Sequence, residues 1–399
     1  RAGTARGRSS PTVPARGRPS PTDPAPATPG LPANRPPASR AVAGPSPCVT
    51  YVIGREEGVV AGPTCRLGRY RALDGSSGAP LHLDVDGPHA VLVVGKRGYG
   101  KSHTLGVLAE ALARAGPLAP VVVDPMGGFR TLAEEAAGEP VPARVLADPQ
   151  IRSTTLDPRS WCALLELSPE SGAGALVWTA AREADSLEGM RAHVAAADAP
   201  GVTRRAATNH LALAESWGIF DPGGLSATDL GRGEVTVVDV SHLDAAPMNA
   251  VVRGVGETLY RARVAGEMQR LPWYLIDEAH TFFRGVARPA IETILTRGRA
   301  PGVSLALATQ RPSAVSEVAV SQADVLVSHR LTAGADVDAL AAARPTYLDA
   351  SLRDRLPAAT GEVLVVDDAT ETVHAATVRD RDTPHGGASP RASEVVGDP

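Results

Sequence analysis

The chain has 399 residues with 43% hydrophobic content, enough for roughly two or three folding units with a sizeable core, which excludes a disulfide-stabilised miniprotein and a fibre. Its 40 basic and 44 acidic residues nearly cancel, so any surface for nucleic acid must be local. Three widely spaced cysteines, Cys48, Cys65 and Cys162, exclude a disulfide framework and a zinc ribbon and favour a reducing, cytoplasmic compartment. No apolar run approaches the roughly 18 residues of a membrane helix, so we expect a soluble protein.

The first 47 residues have the composition of a disordered tail. They contain 12 of the 35 prolines and seven arginines, but a single acid, Asp23, and no aromatic residue. Such a segment buries too little surface to offset the entropy cost of ordering. Residues 48–88 follow with short β-like runs separated by Gly, Pro and Ser turns, which predict a small β module.

Residues 89–380 alternate between apolar strand-like runs and helical patterns, which predicts βαβ units and a mainly parallel sheet of the α/β class. Residues 159–216 interrupt this alternation with a long stretch that carries alanine and glutamate at helical spacing, and we predict a helical insertion there. Strand patterns resume at 234–240 and recur as far as 361–367. Residues 381–399 again predict a disordered tail.

The strand-like run AVLVV is followed directly by GKRGYGKS, which fits the pattern G-x-x-x-x-G-K-[ST] and leads into an amphipathic helix. Glycines let successive backbone N–H groups wrap around phosphate oxygens, while Lys101 reaches the β- and γ-phosphates of ATP and Ser102 ligates Mg²⁺. Lys96 and Lys101 are the two lysines of the chain, and Lys96 either adds positive potential or is a solvated loop charge. The residues predicted to contact the nucleotide are Gly95, Lys96, Arg97, Gly98, Tyr99, Gly100, Lys101, Ser102 and His103.

A second apolar run, WYLIDE, ends in two adjacent carboxylates, Asp277 and Glu278. Strand alternation predicts that the two side chains lie on opposite sides of the strand end. Asp277 is then placed to hold Mg²⁺ through water. Glu278 is placed to polarise an attacking water, which hydrolysis requires and nucleotide binding alone does not. The alternative for such acids is a simple turn at the strand end.

Polar residues also follow the strand-like run at 303–309, at the edge where open α/β sheets hold their ligands. Thr309 and Gln310 emerge there, and with the other two motifs present we predict that Gln310 senses the γ-phosphate or its water. Arg297 and Arg299 precede this run. They either complement a helix dipole or act as an arginine finger on a neighbouring subunit, and the sequence does not separate the two.

Two other residues near these motifs are predicted to have structural roles. Asp124 in VVVDPMGGF most simply forms a turn after its strand. His280 in DEAH most simply caps the strand-to-helix junction, although it can also couple nucleotide state to motion. Aromatic residues, at 4%, do not interleave with basic ones, so no base-stacking platform is visible.

Together these motifs resemble the HerA/FtsK group of P-loop ATPases, most closely the HerA central domain. The strings GKRGYGKS, DPMGGF, LIDEAHTF, LTRGRAPGVSLALATQRPS and SQADVLVSHRLT occur in the family's order over residues 90–332. The resemblance implies a RecA-like P-loop NTPase fold. It also implies the roles given above for the P-loop, the carboxylate pair and Gln310, with an arginine of the RGR segment acting in trans.

The resulting expectation is an enzyme, a Mg²⁺-dependent motor that binds and hydrolyses ATP and acts on DNA as a translocase or helicase. The resemblance implies a homo-oligomer, since family members form hexameric rings, with duplex DNA as substrate and a NurA-like nuclease as partner. One alternative is an ATPase that remodels a protein or secretion partner. Another is a nucleotide-dependent switch with little turnover, which the presence of Glu278 disfavours.

Overall fold

In the computed structural model, residues 51–55, 62–72, 74–342 and 355–386 are described. The predicted tail at 1–47 lies outside the described residues, as does most of the one at 381–399. The strands are β1 (Val52–Ile53), β2 (Thr64–Arg71), β3 (Ser77–Asp84), β4 (Ala90–Val94), β5 (Leu118–Asp124), β6 (Ala143–Leu146), β7 (Val235–Asp239), β8 (Leu271–Ile276), β9 (Ser304–Thr309), β10 (Val325–Ser328), β11 (Glu362–Asp367) and β12 (Thr372–Val378). The helices are α1 (Lys101–Arg114), α2 (Pro158–Leu164), α3 (Gly172–Glu183), α4 (Leu187–Ala196), α5 (Gly201–Ser216), α6 (Ala227–Leu230), α7 (Ala245–Val264), α8 (Arg288–Arg297), α9 (Glu317–Ser321) and α10 (Gly334–Ala342).

The described strands form one sheet in the order β1-β3-β2-β12-β11-β10-β4-β9-β8-β5-β7-β6. From β10 to β6 every neighbouring pair is parallel, which confirms the prediction of a mainly parallel sheet. Strand β9 pairs with both β4 and β8, so it separates the strand that leads into the glycine loop from the strand that ends at the carboxylates. The carboxyl ends of these three strands therefore share one edge of the sheet.

Two hydrophobic cores cover the faces of this sheet. Leu105, Leu108 and Leu112 of α1 belong to one core, as their helical spacing predicts. Helices α7 and α8 contribute Val251, Ile291 and other apolar residues to the core on the opposite face. Because both faces are covered, the central strands are buried along their whole length and read as continuous apolar runs.

The strands at 64–84 extend this same sheet by antiparallel pairing. Strand β2 pairs with β12 on one side and with β3 on the other. At Gly68 a Cβ atom would lie 2.0 Å from the carbonyl oxygen of Thr377, so the close approach of β2 to β12 requires glycine. The N-terminal and C-terminal strands thus build one wing of the sheet together.

The stretch predicted as a helical insertion contains helices α2, α3, α4 and α5, which lie between β6 and β7 in the chain. Side chains of Asp157, Ser171 and Ser186 accept hydrogen bonds from backbone N–H groups in the first turns of α2, α3 and α4. Trp161 is fully buried in the core on one face of the sheet, and its ring lies 4.7 Å from that of Phe220 at a tilt of 34°.

The chain beyond β12 runs along α1 as far as Gly386. Glu110 of α1 is buried and accepts hydrogen bonds from the backbone N–H groups of Asp382 and Thr383. Arg379 adds an ion pair to the same carboxylate at 2.9 Å. Residues 381–386, which the composition assigns to a tail, are therefore held against the helix that follows the glycine loop.

Candidate active site at the carboxyl edge of the sheet

The loop between β4 and α1 has the close backbone wrapping that a phosphate group requires. Gly98 and Gly100 have φ values of 82° and 109°, in the region that favours glycine. A Cβ at Gly95 would lie 2.5 Å from the Cβ of His329, so this glycine is required by close packing. The loop therefore presents its backbone and the N-terminus of α1 to the space above the sheet.

Lys101 is a buried cation at the first position of α1. It is 5% exposed, and its Nζ donates to the carbonyl oxygen of Lys96 at 3.4 Å. Burial lowers the pKa of Lys101, although the charges of Glu278 and Asp277 oppose this effect. The Lys96 side chain, by contrast, is exposed. The ammonium of Lys101 is thus held where an anion would stabilise it.

Ser102 and Asp277 meet although they come from elements on either side of β9. The Ser102 hydroxyl donates to Oδ2 of Asp277 at 2.7 Å, and the other carboxylate oxygen accepts from the backbone N–H of Glu278 at 2.9 Å. Asp277 is 2% exposed, and burial raises its pKa despite these hydrogen bonds. A hydroxyl beside a desolvated carboxylate is a donor set that suits a small divalent cation.

The sequence predicts that strand alternation places Glu278 opposite Asp277. In the structure, Glu278 instead lies beyond the end of the strand. Strand β8 ends at Ile276, and Glu278 has a left-handed backbone with φ 45° and ψ 42° that starts a 3-10 turn. This conformation turns the chain back, and the charges of both carboxylates act on Lys101. Oε2 of Glu278 is buried and has no hydrogen-bond partner among the described residues.

Gln310 follows β9 and is half-buried at the same edge. Because β9 lies between β4 and β8, its end lies between the glycine loop and the carboxylate pair. Asp124, at the end of β5, accepts hydrogen bonds from the backbone N–H groups of Met126, Gly128 and Phe129. It shapes the turn that follows its strand, in agreement with the structural role predicted for it.

Arg297 and Arg299 are not brought to this site within the chain. Both are exposed, and Nη2 of Arg299 pairs with Oδ2 of Asp324 at 3.1 Å. Asp324 in turn accepts from the backbone N–H of Ala90, the first residue of β4. Since the glycine loop begins at the other end of β4, Arg299 lies at the opposite edge of the sheet, roughly 15 Å away along a five-residue strand.

His103 and the tip of the glycine loop contact segments that lie far from them in sequence. Nε2 of His103 lies 2.9 Å from the carbonyl oxygen of Arg379, and its ring lies 5.6 Å from that of His385. Arg330 lies over the ring of Tyr99 at 5.6 Å. Tyr99 and His103 are thus supported by residues far away in sequence. Arg97 and Gly98, which precede Tyr99 in the loop, are exposed.

Sequence reasoning missed His329, which supports the loop from below. This buried side chain packs on Gly95 and Gly100, and its Nε2 lies 2.9 Å from the hydroxyl of Thr104. Burial lowers its pKa to about 4, with a further contribution from the charge of Lys101, and its Nδ1 has no hydrogen-bond partner among the described residues. The signal was present in SQADVLVSHRLT, because a histidine directly after a parallel strand lies at the ligand edge.

The sequence matches no protein-family model and no curated protein. Among solved structures, VirB4 of Thermoanaerobacter pseudethanolicus superposes with a TM-score of 0.60 at 16% identity, covering 81% of this chain and 98% of that one. The plasmid coupling protein TrwB in complex with ADP and Mg²⁺ superposes with a TM-score of 0.52 at 14% identity, covering 82% and 97%. Unbound TrwB, a bacterial conjugative coupling protein, superposes with a TM-score of 0.50 at 14% identity, covering 81% and 91%. The chain has a RecA-like P-loop NTPase fold. The fold implied by the sequence resemblance is therefore confirmed.

In this RecA-like site the buried groups divide into three chemical tasks. Lys101 and the loop backbone are arranged to hold phosphate oxygens. Ser102 and Asp277 offer oxygen ligands to a divalent cation, and Glu278 offers a carboxylate oxygen that no described residue occupies. Gln310 adds a polar side chain beside them. The arrangement is suited to transfer of a phosphoryl group to water.

Proposed function

We propose that this chain is a Mg²⁺-dependent ATPase, an ATP-hydrolysing motor of the HerA/FtsK type. The observation that supports this best is the convergence of Lys101, Ser102, Asp277 and Glu278 at one edge of the sheet, although strand β9 separates the elements that carry them. A site for nucleotide binding alone requires the first three. Glu278, whose buried Oε2 accepts no hydrogen bond from any described residue, favours hydrolysis.

The residues present fit ATP and Mg²⁺. Burial disfavours the charged forms of Lys101 and Asp277. An anion beside Lys101 and a cation beside Asp277 would offset this desolvation cost, which the chain alone leaves in place. The glycine loop gives the close approach that phosphates need, because Gly98 and Gly100 adopt φ values of 82° and 109°, which side chains disfavour. Polyphosphate and metal would therefore stabilise this edge together.

The chain's own residues divide the work as follows. Lys101 and the loop N–H groups hold the β- and γ-phosphate oxygens, and Ser102 and Asp277 hold the metal ion. When bound, Mg²⁺ would neutralise charge on the phosphate oxygens. Glu278 orients a water and accepts its proton, while Gln310 at the end of β9 contacts the γ-phosphate or that water.

An arginine from a second subunit completes the proposed site. Arg299 lies at the edge opposite to its own glycine loop, and Arg297 ends the helix that leads into the amino end of β9, so we place neither at a phosphate bound in its own subunit. A head-to-tail contact between copies would bring this edge toward a neighbour's site, and repeated contacts of that kind close into a ring. We therefore propose a homo-oligomer, with a hexameric ring as the form implied by the sequence resemblance.

Duplex DNA is the substrate that we propose for the motor, as a translocase or helicase. The support is the sequence resemblance to HerA/FtsK ATPases together with a fold shared with the conjugative coupling protein TrwB. A NurA-like nuclease is the partner that the resemblance adds. No helix in the described part of the chain combines the length and apolar character needed to cross a bilayer.

Steady-state ATPase assays with Mg²⁺, with and without duplex DNA, test the proposal. We expect turnover that DNA stimulates and that Glu278→Gln reduces by at least about 10²-fold while ADP affinity is kept. The exposed Glu188 of α4 offers a matched control, and Glu188→Gln should behave as the parent chain. Nucleotide binding without turnover would instead identify a switch. Turnover that DNA leaves unchanged would direct the search toward a protein substrate.

A further inference from the structure

Glu278 has an unusual backbone and few contacts that fix its carboxylate. Its left-handed conformation is unfavourable for a non-glycine residue, so the surrounding structure must impose it. No described residue donates a hydrogen bond to its buried Oε2. The nearest ionisable donor is Nδ1 of His280, which lies 3.4 Å from that oxygen. A carboxylate that orients water needs a defined direction, and His280 is the group placed to supply it.

The same ring nitrogen faces the end of β9. Nδ1 of His280 lies 3.3 Å from the hydroxyl oxygen of Thr309, the last residue of the strand. Thr309 is fully buried, and its hydroxyl oxygen accepts from the backbone N–H of Arg311 at 3.1 Å, which fixes its position. His280 therefore lies between the carboxylate of Glu278 and the strand end that carries Gln310.

His280 acts here as a neutral hydrogen-bond donor. Burial lowers its pKa, and the positive charges of Arg311, Lys101 and Arg284 lower it further, against the opposing charge of Asp277. A neutral imidazole carries one N–H, and next to a carboxylate oxygen the tautomer with hydrogen on Nδ1 is favoured over one that presents a lone pair. Of the two nearby oxygens, on Glu278 and Thr309, Nδ1 has hydrogen-bond geometry in this structure only with the hydroxyl of Thr309. Oε2 of Glu278 lies 3.4 Å away without that geometry, so donation to it requires reorientation of one of the two side chains.

We propose that His280 is a positioning residue that orients the Glu278 carboxylate and takes its own position from Thr309. The consequence is a link between the end of β9, where Gln310 would contact the γ-phosphate, and the group that activates water. This inference rests on the proposed ATPase function. It assigns His280 a role in turnover that a capping residue would not have.

Three substitutions at His280 distinguish the contributions of its two ring nitrogens to turnover. Asparagine places an amide N–H close to the position of Nδ1, glutamine places one close to Nε2, and leucine removes both. We expect His280→Leu and His280→Gln to lower kcat by on the order of 10²-fold, as a misplaced catalytic group does, with KM for ATP and ADP affinity within about twofold. His280→Asn should recover most of kcat. A fall in ADP affinity parallel to kcat, or equal kcat in all three variants, would overturn the inference.

Two further measurements protect this test against simple misfolding. Thr309→Val removes the hydroxyl and should lower kcat in the same manner, while Thr309→Ser keeps it and should remain near the parent. In a Glu278→Gln background, His280→Leu should cause no further loss, because it acts through the missing carboxylate. An undiminished effect in that background would contradict the positioning role. Absence of turnover in the parent chain would overturn the proposed function and this inference together, whereas parent-level kcat in His280→Leu would overturn the inference alone.

Discussion

The two edges of the central sheet differ in how the surrounding residues affect buried ionisable groups. At the carboxyl edge, burial lowers the pKa of Lys101 and raises that of Asp277, so the chain disfavours the charged form of each. At the amino edge, His89 is also buried, but its hydrogen bond to Asp324 and the charges of Asp324 and Asp84 outweigh its desolvation and raise its pKa to about 9. Desolvation alone would raise the pKa of Asp84, yet its close contact with His89 and the hydrogen bonds that it accepts from Arg55 lower it.

The contacts explain this difference. Nδ1 of His89 lies 2.9 Å from Oδ2 of Asp324, and Nε2 lies 3.5 Å from Oδ2 of Asp84. Arg55 and Arg299 pair with the outer sides of the two carboxylates, and these five residues form what we term the amino-edge network. Charges that the chain itself neutralises stabilise the fold. Charges that it leaves uncompensated are available to a ligand, and this contrast is one reason why we propose the carboxyl edge as the functional one.

The largest expected effect comes from an arginine at the amino edge of one subunit that acts at the carboxyl edge of its neighbour. Arg297→Ala or Arg299→Ala, whichever removes the finger, should lower ATPase turnover by roughly 10³- to 10⁵-fold. Mixing that variant with Lys101→Ala subunits, which keep both arginines but cannot bind ATP, should restore part of the activity, measured as turnover per mixed oligomer. An inactive mixture in which mixed oligomers demonstrably form would contradict action in trans. So would full activity of the arginine variants as monomers.

A smaller effect, confined to the carboxyl edge, comes from the buried ammonium. Lys101→Ala should reduce ADP affinity by on the order of 10²- to 10³-fold while the fold is kept, because it removes a cation that burial disfavours. Calorimetric titration with Mg-ADP measures the affinity, and thermal unfolding checks the fold. Lys96→Ala removes an exposed lysine of the same loop and should change neither by much. Unchanged affinity in Lys101→Ala would refute the phosphate site.

At the amino edge the expected response is loss of stability with nucleotide binding intact. Asp324→Asn leaves His89 buried with one carboxylate fewer, and we expect a decrease of about 3 to 5 kcal/mol in the free energy of unfolding. Arg299 is 70% exposed, so Arg299→Ala should change stability by less than about 1 kcal/mol. Denaturant unfolding measures both. Equal losses in the two variants would show that the outer ion pair, and not the buried histidine, dominates this edge.

The pH dependence of stability gives the smallest effect. His89 has a folded-state pKa of about 9 against the ordinary histidine value of 6.5, so its contribution is complete below pH 6.5 and is lost as the pH rises through 9. We expect a decrease on the order of 3 kcal/mol across this window, measured by denaturant unfolding at fixed ionic strength. His89→Gln should flatten the slope. A parent stability that does not fall across this window, or that falls no faster than the stability of the variant, would contradict the charged state.

Much of the candidate site is local in sequence and could be predicted. The glycine loop is one continuous string between a buried strand and a helix, and its wrapping depends on glycine at positions such as Gly98 and Gly100. The apolar run before Asp277 predicts a buried strand because both faces of the sheet are covered. Asp124 binds backbone N–H groups within five residues of itself, so its turn is local as well.

The tertiary structure decided what depends on strand order and on the direction of the chain. Ser102 reaches Asp277 only because β9 holds β4 and β8 at a fixed spacing, and nothing in either motif specifies that neighbour. Glu278 leaves the strand alternation because its left-handed backbone begins a turn, which a period of two does not describe. His329 supports the glycine loop through packing across more than 200 residues of sequence. Arg299 lies at the amino edge because the strand after it runs parallel to β4. The distance of Arg299 from the site therefore follows from the strand topology and cannot be inferred from the neighbouring sequence.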